Sequence, residues 1–158
     1  MVGPPARAVV VGLGATGQAV TRFLVSEGWE VVVVEDRPDE RTPSVARELG
    51  ASLGAAADAA DAALVVASPG VPPGHPVHGV ASDAGVPVLS EVELAWQWAA
   101  GKRLVAVTGT NGKTTVTTLV AAMLVESGLA AVAAGNIGLP LIDAVAQDVD
   151  VVVAEVSS

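Results

Sequence analysis

Two glycine-rich segments, each set between a Val-rich run and a helical pattern, constrain this chain more than anything else in it. Gly12-Leu13-Gly14-Ala15-Thr16-Gly17 follows the run Ala8–Val11 and opens an apolar helical pattern over Thr16–Glu27. About 95 residues later, Val107-Thr108-Gly109-Thr110-Asn111-Gly112-Lys113-Thr114-Thr115 follows Leu104–Thr108 and opens a second helical pattern over Thr114–Ser127. A strand that passes through glycines into a helix is the repeating unit of a parallel sheet with right-handed crossovers. The intervening sequence keeps the alternation. Val-rich runs at Glu30–Glu35, Leu64–Ala67, Val86–Leu89, Ala130–Ala134 and Val149–Val156 read as strands. Helices are expected after Thr42, which can cap Pro43 at the first position, over Val77–Ala84 before Gly85, and over Leu139–Ala146. Ser90 and Glu93 form a capping-box pattern for one more helix, ended by Gly101. The expected fold class is α/β. Residues 1–93 should form a Rossmann-like parallel-sheet domain and residues 94–158 the start of a P-loop ATPase-like central domain. An apolar last strand with no covering helix after it suggests the front part of a longer protein, and in isolation that strand is expected to remain partly uncovered or to pair with another copy.

Composition narrows the functions available. At 51% hydrophobic and 16% charged residues, the chain carries enough apolar surface to offset the entropy of ordering. The formal charge of −9 argues against a general nucleic-acid binder. With no cysteine, disulfides, thiolate catalysis and Cys-ligated zinc are excluded. No apolar stretch reaches the roughly 18 to 20 residues of a spanning helix. The best candidate, Leu119–Ala134, is broken by Glu126, Ser127 and Gly128, so no membrane partner is expected and the cytoplasm is the default location. His75 and His78 lie in a Pro/Gly-rich segment and are expected to be solvated. Trp96 and Trp98 point to different faces of one helix, so at most one should be deeply buried.

The first glycine segment is a full G-x-G-x-x-G in a strand-to-helix context. Gly12 permits the tight turn, Gly14 lets backbone approach a diphosphate, and Gly17 lets the helix pack close. The next strand ends in Glu35-Asp36, where a carboxylate can take ribose hydroxyls, and Arg37 can meet a phosphate or a base. This pattern fits a nucleotide-like ligand without saying which one; a bare tight turn is the alternative. The second segment departs from the strict phosphate-loop pattern, since Val107 stands six positions before Lys113 where glycine is usual. Its core still allows Gly109–Gly112 backbone N–H groups to cradle a phosphate, Lys113 to neutralise β/γ oxygens and Thr114 to hold Mg²⁺. An ordinary turn with a solvated lysine would be the plain alternative. Glu155 at a strand's carboxyl end suits a Mg²⁺ ligand on that same edge. Gly135-Asn136-Ile137-Gly138 and Ser68-Pro69-Gly70 end strands on the ligand side of their sheets, the former equally readable as a simple turn.

The order of these motifs resembles the Mur ligase family, and within it the D-glutamate-adding branch. The resemblance is carried by Gly12–Gly17, Ala67-Ser68-Pro69-Gly70, Thr108–Thr118 (T-G-T-N-G-K-T-T-V-T-T), Ala134–Pro140 (A-G-N-I-G-L-P) and Glu155-Val156-Ser157-Ser158. It implies that the carboxylate of UDP-N-acetylmuramoyl-L-alanine attacks the γ-phosphate of ATP, and that D-glutamate's amine then displaces phosphate from the acyl phosphate. It further implies that Gly14, Ala15, Thr16, Asp36, Arg37, Ser68, Gly70 and Asn136 contact the nucleotide substrate. Gly109, Thr110, Asn111, Gly112, Lys113, Thr114 and Thr115 would hold ATP, with Thr114 and Glu155 on Mg²⁺. Lys113, Asn136 and Ser157 would serve the reacting groups. The family's later metal-binding His, carbamylated Lys and C-terminal domain have no counterpart here, so these residues alone are expected to be inactive. An NAD-dependent oxidoreductase fragment and a nucleotide-binding module without catalysis are the competing readings.

Overall fold

The computed structural model describes residues 6–99, 101–136 and 138–156. They form two compact units, Met1–Glu91 and Val92–Ser158. In the first unit, β1 (Arg7–Val11), β2 (Glu30–Val34), β3 (Ser52–Leu53), β4 (Leu64–Ala67) and β5 (Val88–Ser90) make one all-parallel sheet in the order β3-β2-β1-β4-β5. Helices α1 (Ala15–Ser26), α2 (Thr42–Glu48) and α3 (Pro76–Ala84), with a 3-10 turn at Ala56–Asp61, supply the crossovers. The chain builds outward from β1 to β3, then returns to the far side of β1 with β4. The strand order therefore reverses between β1 and β4, and a crevice opens beyond their carboxyl ends.

Valine dominates here because both faces of the sheet are covered, so the strands need no polar face. Val9, Val11, Val32, Val34 and Val65 pack on one side with Val77 and Ala81 of α3 and Ala59 and Ala62 around the 3-10 turn. The alternate residues Ala8, Val10, Val31 and Val33 are equally buried and face the other side, where α1 crosses β1 and β2. Each fully buried valine contributes roughly 1.5 kcal/mol or more relative to exposure. Arg7 Nη2 donates to Asp58 Oδ1 at 2.9 Å, tying the foot of β1 to the 3-10 turn. Trp29, 5% exposed, is the large aromatic of this core.

Two local findings depart from the sequence reading. Thr42 does not cap α2; it lies in the helix's first turn, and the carboxylate of Asp39 does the gathering instead. Asp39 Oδ1 accepts from Arg41 N–H, Thr42 N–H and the Thr42 hydroxyl at 2.8–3.0 Å. β3 and the 3-10 turn were not expected, since two exposed strand residues and an Ala-rich stretch give no periodic signal. Trp96, 64% exposed, and Trp98, half-buried, meet the expectation that at most one of them would be deeply buried.

In the second unit, α4 (Glu91–Trp98) begins one residue before the unit boundary. β6 (Arg103–Val107), β7 (Ala131–Gly135) and β8 (Val151–Glu155) then form a parallel sheet in the order β6-β8-β7. The last strand thus runs between the other two. Every residue of β8 is buried, while Val149, Asp150 and Val156 at its ends are partly or fully exposed. Within this sheet the exposed positions fall on β6, at Arg103, Val105 and Ala106. Sequence identifies a strand but not its place in the sheet, and the most continuously apolar one takes the middle. Helix α5 (Lys113–Glu126) packs on β7 and β8 with Ala121 against Val151 and Val153, and α6 (Leu141–Val145) also contacts both strands. Among the described residues, no helix is long and apolar enough to cross a membrane.

Two glycines give a clean contrast. A Cβ on Gly17 would collide with the carbonyl of Gly12, whereas one on Gly79, inside α3, would meet nothing within 4 Å. Gly17→Ala should lower stability by about 1–3 kcal/mol through overpacking, and Gly79→Ala should raise it by up to about 1 kcal/mol through helix propensity. Urea unfolding midpoints of the two variants check both signs.

Candidate functional site

The crevice of the first unit is built by the turn that follows β1. Gly12 carries φ +91° and donates its N–H to Val34 O at 2.8 Å, which starts the turn into α1. Gly14 precedes the helix with no side chain capping it, and the first turn of α1 holds no acidic residue. That leaves a positive helix end available to an anion. Ser68, at the end of β4, sits against Gly12, so β1 and β4 close on each other at the switch point.

Two cavities flank this turn. One, of about 370 Å³, is walled by Gly12, Asp36, Arg37, Ser68 and Gly70 among others. The other, of about 350 Å³, lies toward α2 beside Gly14, Arg37 and Arg41. The structure therefore brings together Asp36, Arg37, Ser68 and Gly70, with Gly14 and again Arg37 on the second cavity. Ala15 and Thr16 line neither of these and form the first turn of α1. Glu35 borders both cavities but is engaged by the protein. Its Oε2 accepts from Leu13 N–H at 2.7 Å and its Oε1 from Arg37 N–H at 3.1 Å. It holds the glycine turn to the end of β2, a role the sequence reading did not separate from that of Asp36.

His75 overturns an expectation: it is 7% exposed rather than solvated. It caps α3, its Nδ1 accepting from Val77 N–H at 3.1 Å, while Nε2 lies 2.9 Å from Asp36 Oδ1. The His75-Pro76 pair was the legible signal, since proline at a helix's first position marks its neighbour as the cap. His78 is half-buried.

The second unit places its motifs at the carboxyl edge of the sheet. Gly109 has φ +145° and Gly112, preceding α5, has φ +76°, conformations that side chains with a Cβ rarely adopt. Lys113 is the first residue of α5, one earlier than the sequence pattern gave, and its Nζ donates to Gly109 O at 2.6 Å. The Thr114 hydroxyl donates to Glu155 Oε2 at 2.8 Å. Glu155 is 7% exposed and in register with both Val107 and Gly135. Gly135 is required on two counts: its φ is +102°, and a Cβ there would strike the Glu155 backbone. Asn136 N–H donates to the Glu155 main-chain O at 3.0 Å, tying that residue to the carboxyl end of β8. Thr110, Asn111 and Thr115 are exposed along the loop and first turn. Ser157 lies outside the described residues. An ammonium, a hydroxyl and a carboxylate thus converge above a helix N-terminus, a donor set of hard oxygens that suits Mg²⁺ and one cation that suits phosphate.

A parallel sheet with a switch-point crevice, followed by a unit whose glycine loop opens a helix beside an acidic strand end, is an arrangement suited to nucleotide ligands. Comparison with known proteins agrees. Residues 6–90 match the MurD-like N-terminal domain of Mur ligases, and residues 107–158 match the Mur ligase middle domain. The chain belongs to the Mur ligase family. It is 49% identical to the UDP-N-acetylmuramoylalanine--D-glutamate ligase of Frankia casuarinae over 89% of this chain and 31% of that protein. It is 45% identical to the enzyme of the same name from Thermobifida fusca over 96% of this chain and 35% of that protein. The chain thus spans about a third of the length of these curated relatives. Among solved structures, the UDP-N-acetylmuramate-alanine ligase of Thermotoga maritima is similar with a TM-score of 0.54 and 26% identity, over 96% of this chain and 37% of that one.

The Asp39 carboxyl, at the mouth of the α2-side cavity, is held below the ordinary value of 3.8. The main cause is its hydrogen bond from the Thr42 hydroxyl, followed by that from Thr42 N–H. A depressed folded-state pKa means that its contribution to stability is present above the unfolded value and is lost as pH falls through the lower folded one. Carbon-detected NMR titration should place the Asp39 inflection below 3.8, and Thr42→Val should move it upward.

Proposed function

We propose that this chain supplies the substrate-nucleotide unit and the phosphate-loop portion of a cytoplasmic ligase that joins D-glutamate to UDP-N-acetylmuramoyl-L-alanine, using ATP. The names of the similar proteins support the substrates. The observation that carries the reaction class is the convergence of Lys113, Thr114 and Glu155 at one sheet edge. An oxidoreductase reading leaves that convergence without a purpose.

In this reading the first unit grips the UDP end of the substrate. The uncapped start of α1, with Gly14, Ala15 and Thr16, takes the diphosphate. Asp36 and Arg37, with Ser68 and Gly70 opposite, hold the nucleoside end. The second unit takes ATP. The loop Gly109–Gly112 turns its backbone toward the phosphates, Thr110, Asn111 and Thr115 flank them, and Lys113 exchanges its bond to Gly109 O for β/γ oxygens. Thr114 and Glu155 would hold Mg²⁺, which supplies charge neutralisation on the phosphates. Asn136 and Ser157 would face the reacting end of the nucleotide substrate. The substrate carboxylate attacks the γ-phosphorus, ADP leaves with the bridging oxygen, and the amine of D-glutamate then displaces phosphate from the acyl phosphate to form the amide. No covalent nucleophile is asked of the protein, because positioning and charge neutralisation carry such transfers.

Two measurements test the halves separately. UDP should bind the chain more tightly than NAD in calorimetric titration; tighter binding of NAD would overturn the assignment of the first unit. Lys113→Ala should weaken binding of ATP with Mg²⁺ by about one to two decades, the loss of a charge-assisted contact, with the circular dichroism spectrum unchanged. Equal ATP affinity in that variant would show that the turn is no phosphate site.

A further inference from the structure

We infer that His75 is a positioning residue for the nucleotide crevice, fixing the Asp36 carboxylate from behind through a single defined tautomer; this rests on the reading of the first unit as the UDP site. The contact geometry settles the tautomer. Nδ1 accepts from Val77 N–H, so it carries a lone pair, and the ring proton sits on Nε2, which donates to Asp36 Oδ1 at 2.9 Å. The two ring nitrogens therefore join two separate elements: the first turn of α3 and the end of β2.

The exposures of the partners explain the consequence. The His75 side chain is 6% exposed and that of Asp36 60% exposed, so the imidazole lies inside while the carboxylate remains open to the cavity it borders. Asp36 Oδ2 has no hydrogen-bond partner among the described residues, which leaves it able to accept from a ribose hydroxyl or a base N–H. An aspartate at an exposed strand end would otherwise sample several rotamers. Anchoring one oxygen to a buried donor removes that freedom before a ligand arrives, and preorganisation of this kind raises affinity. Gly70, Val71 and Pro72 of the loop before His75 border the same cavity, so the β4-to-α3 loop and Asp36 are set by one side chain.

A purely structural cap and a positioning residue make different predictions, and two substitutions separate them. Asparagine can accept from Val77 N–H as a helix cap but is too short to reach Asp36. Glutamine can place an amide N–H near the Nε2 position but is a poor cap. In the 158-residue chain, His75→Asn should keep the melting temperature near that of the unchanged protein and weaken UDP binding roughly three- to tenfold. His75→Gln should lower the melting temperature and recover much of the UDP affinity. Asp36→Ala, which leaves Nε2 no acceptor, should weaken UDP binding, and adding His75→Asn to it should cost nothing further. Nitrogen-15 spectra of the unchanged protein should show His75 protonated at Nε2 and not at Nδ1. The inference is overturned if His75→Asn binds UDP with unchanged affinity, if affinity tracks melting temperature across the two His75 variants, or if the Asp36 and His75 effects add. An Nδ1-protonated ring would overturn it as well. Absence of UDP binding by the unchanged protein would overturn the UDP reading and this inference together, and that arm is read before any variant is made.

Discussion

The second unit depends on β8 running between β6 and β7. Because the register pairs Val107 and Gly135 each with Glu155, one buried carboxylate lies level with the phosphate loop on one side and the Gly135-Asn136 turn on the other. Side chains alternate along a strand, so a slip of one residue would turn Glu155 to the opposite face and take it from the Thr114 hydroxyl. The valines at 151, 152 and 153 make such a slip costly only through the turns, since they are alike. The fixed points are the Gly135 contact and the Val156 N–H bond to Val107 O, which lock the carboxyl end of β8 where the chemistry would sit.

The first unit meets the same demand differently. No acidic strand end faces a lysine there. Two strands instead part company at a switch point, and the protein holds the resulting gap in shape with small residues and short polar bonds. Gly17 presses against the Gly12 carbonyl, Ser68 meets Gly12, and Glu35 ties Leu13 to the end of β2. What remains for a ligand is the start of α1, the Asp36-Arg37 pair and the loop after β4.

The alternation of strand and helix was legible because buried parallel strands leave valine runs and glycine turns that few other structures produce. The glycine turn before α5 was legible for the same reason, its glycines with φ above zero being tied to one turn. What escaped had no periodic trace. β3 is two exposed residues long, and the 3-10 turn is built from alanines. The central place of β8 is a fact of sheet order, which a linear pattern does not encode. At the site, Asp36 lines the crevice, but the separate task of Glu35 was hidden because two neighbouring carboxylates look alike in sequence. His75 was misread through its surroundings: proline and glycine suggested an open loop, and the ring's partner lies 39 positions away.

If the glycine turn before α5 takes a phosphate as proposed, the bond from Lys113 to the Gly109 carbonyl makes that turn its own competitor. An ammonium lying loose in water would be recruited by a nucleotide at the cost of its hydration alone. Here an incoming phosphate would have to displace a backbone dipole that sits on the same loop and would return once the phosphate left. Affinity at such a site is a difference between two similar attachments, so it can be modest while discrimination stays high. Only a group that offers more negative charge than a peptide carbonyl gains by the exchange, which lets the lysine ignore the neutral oxygens around it.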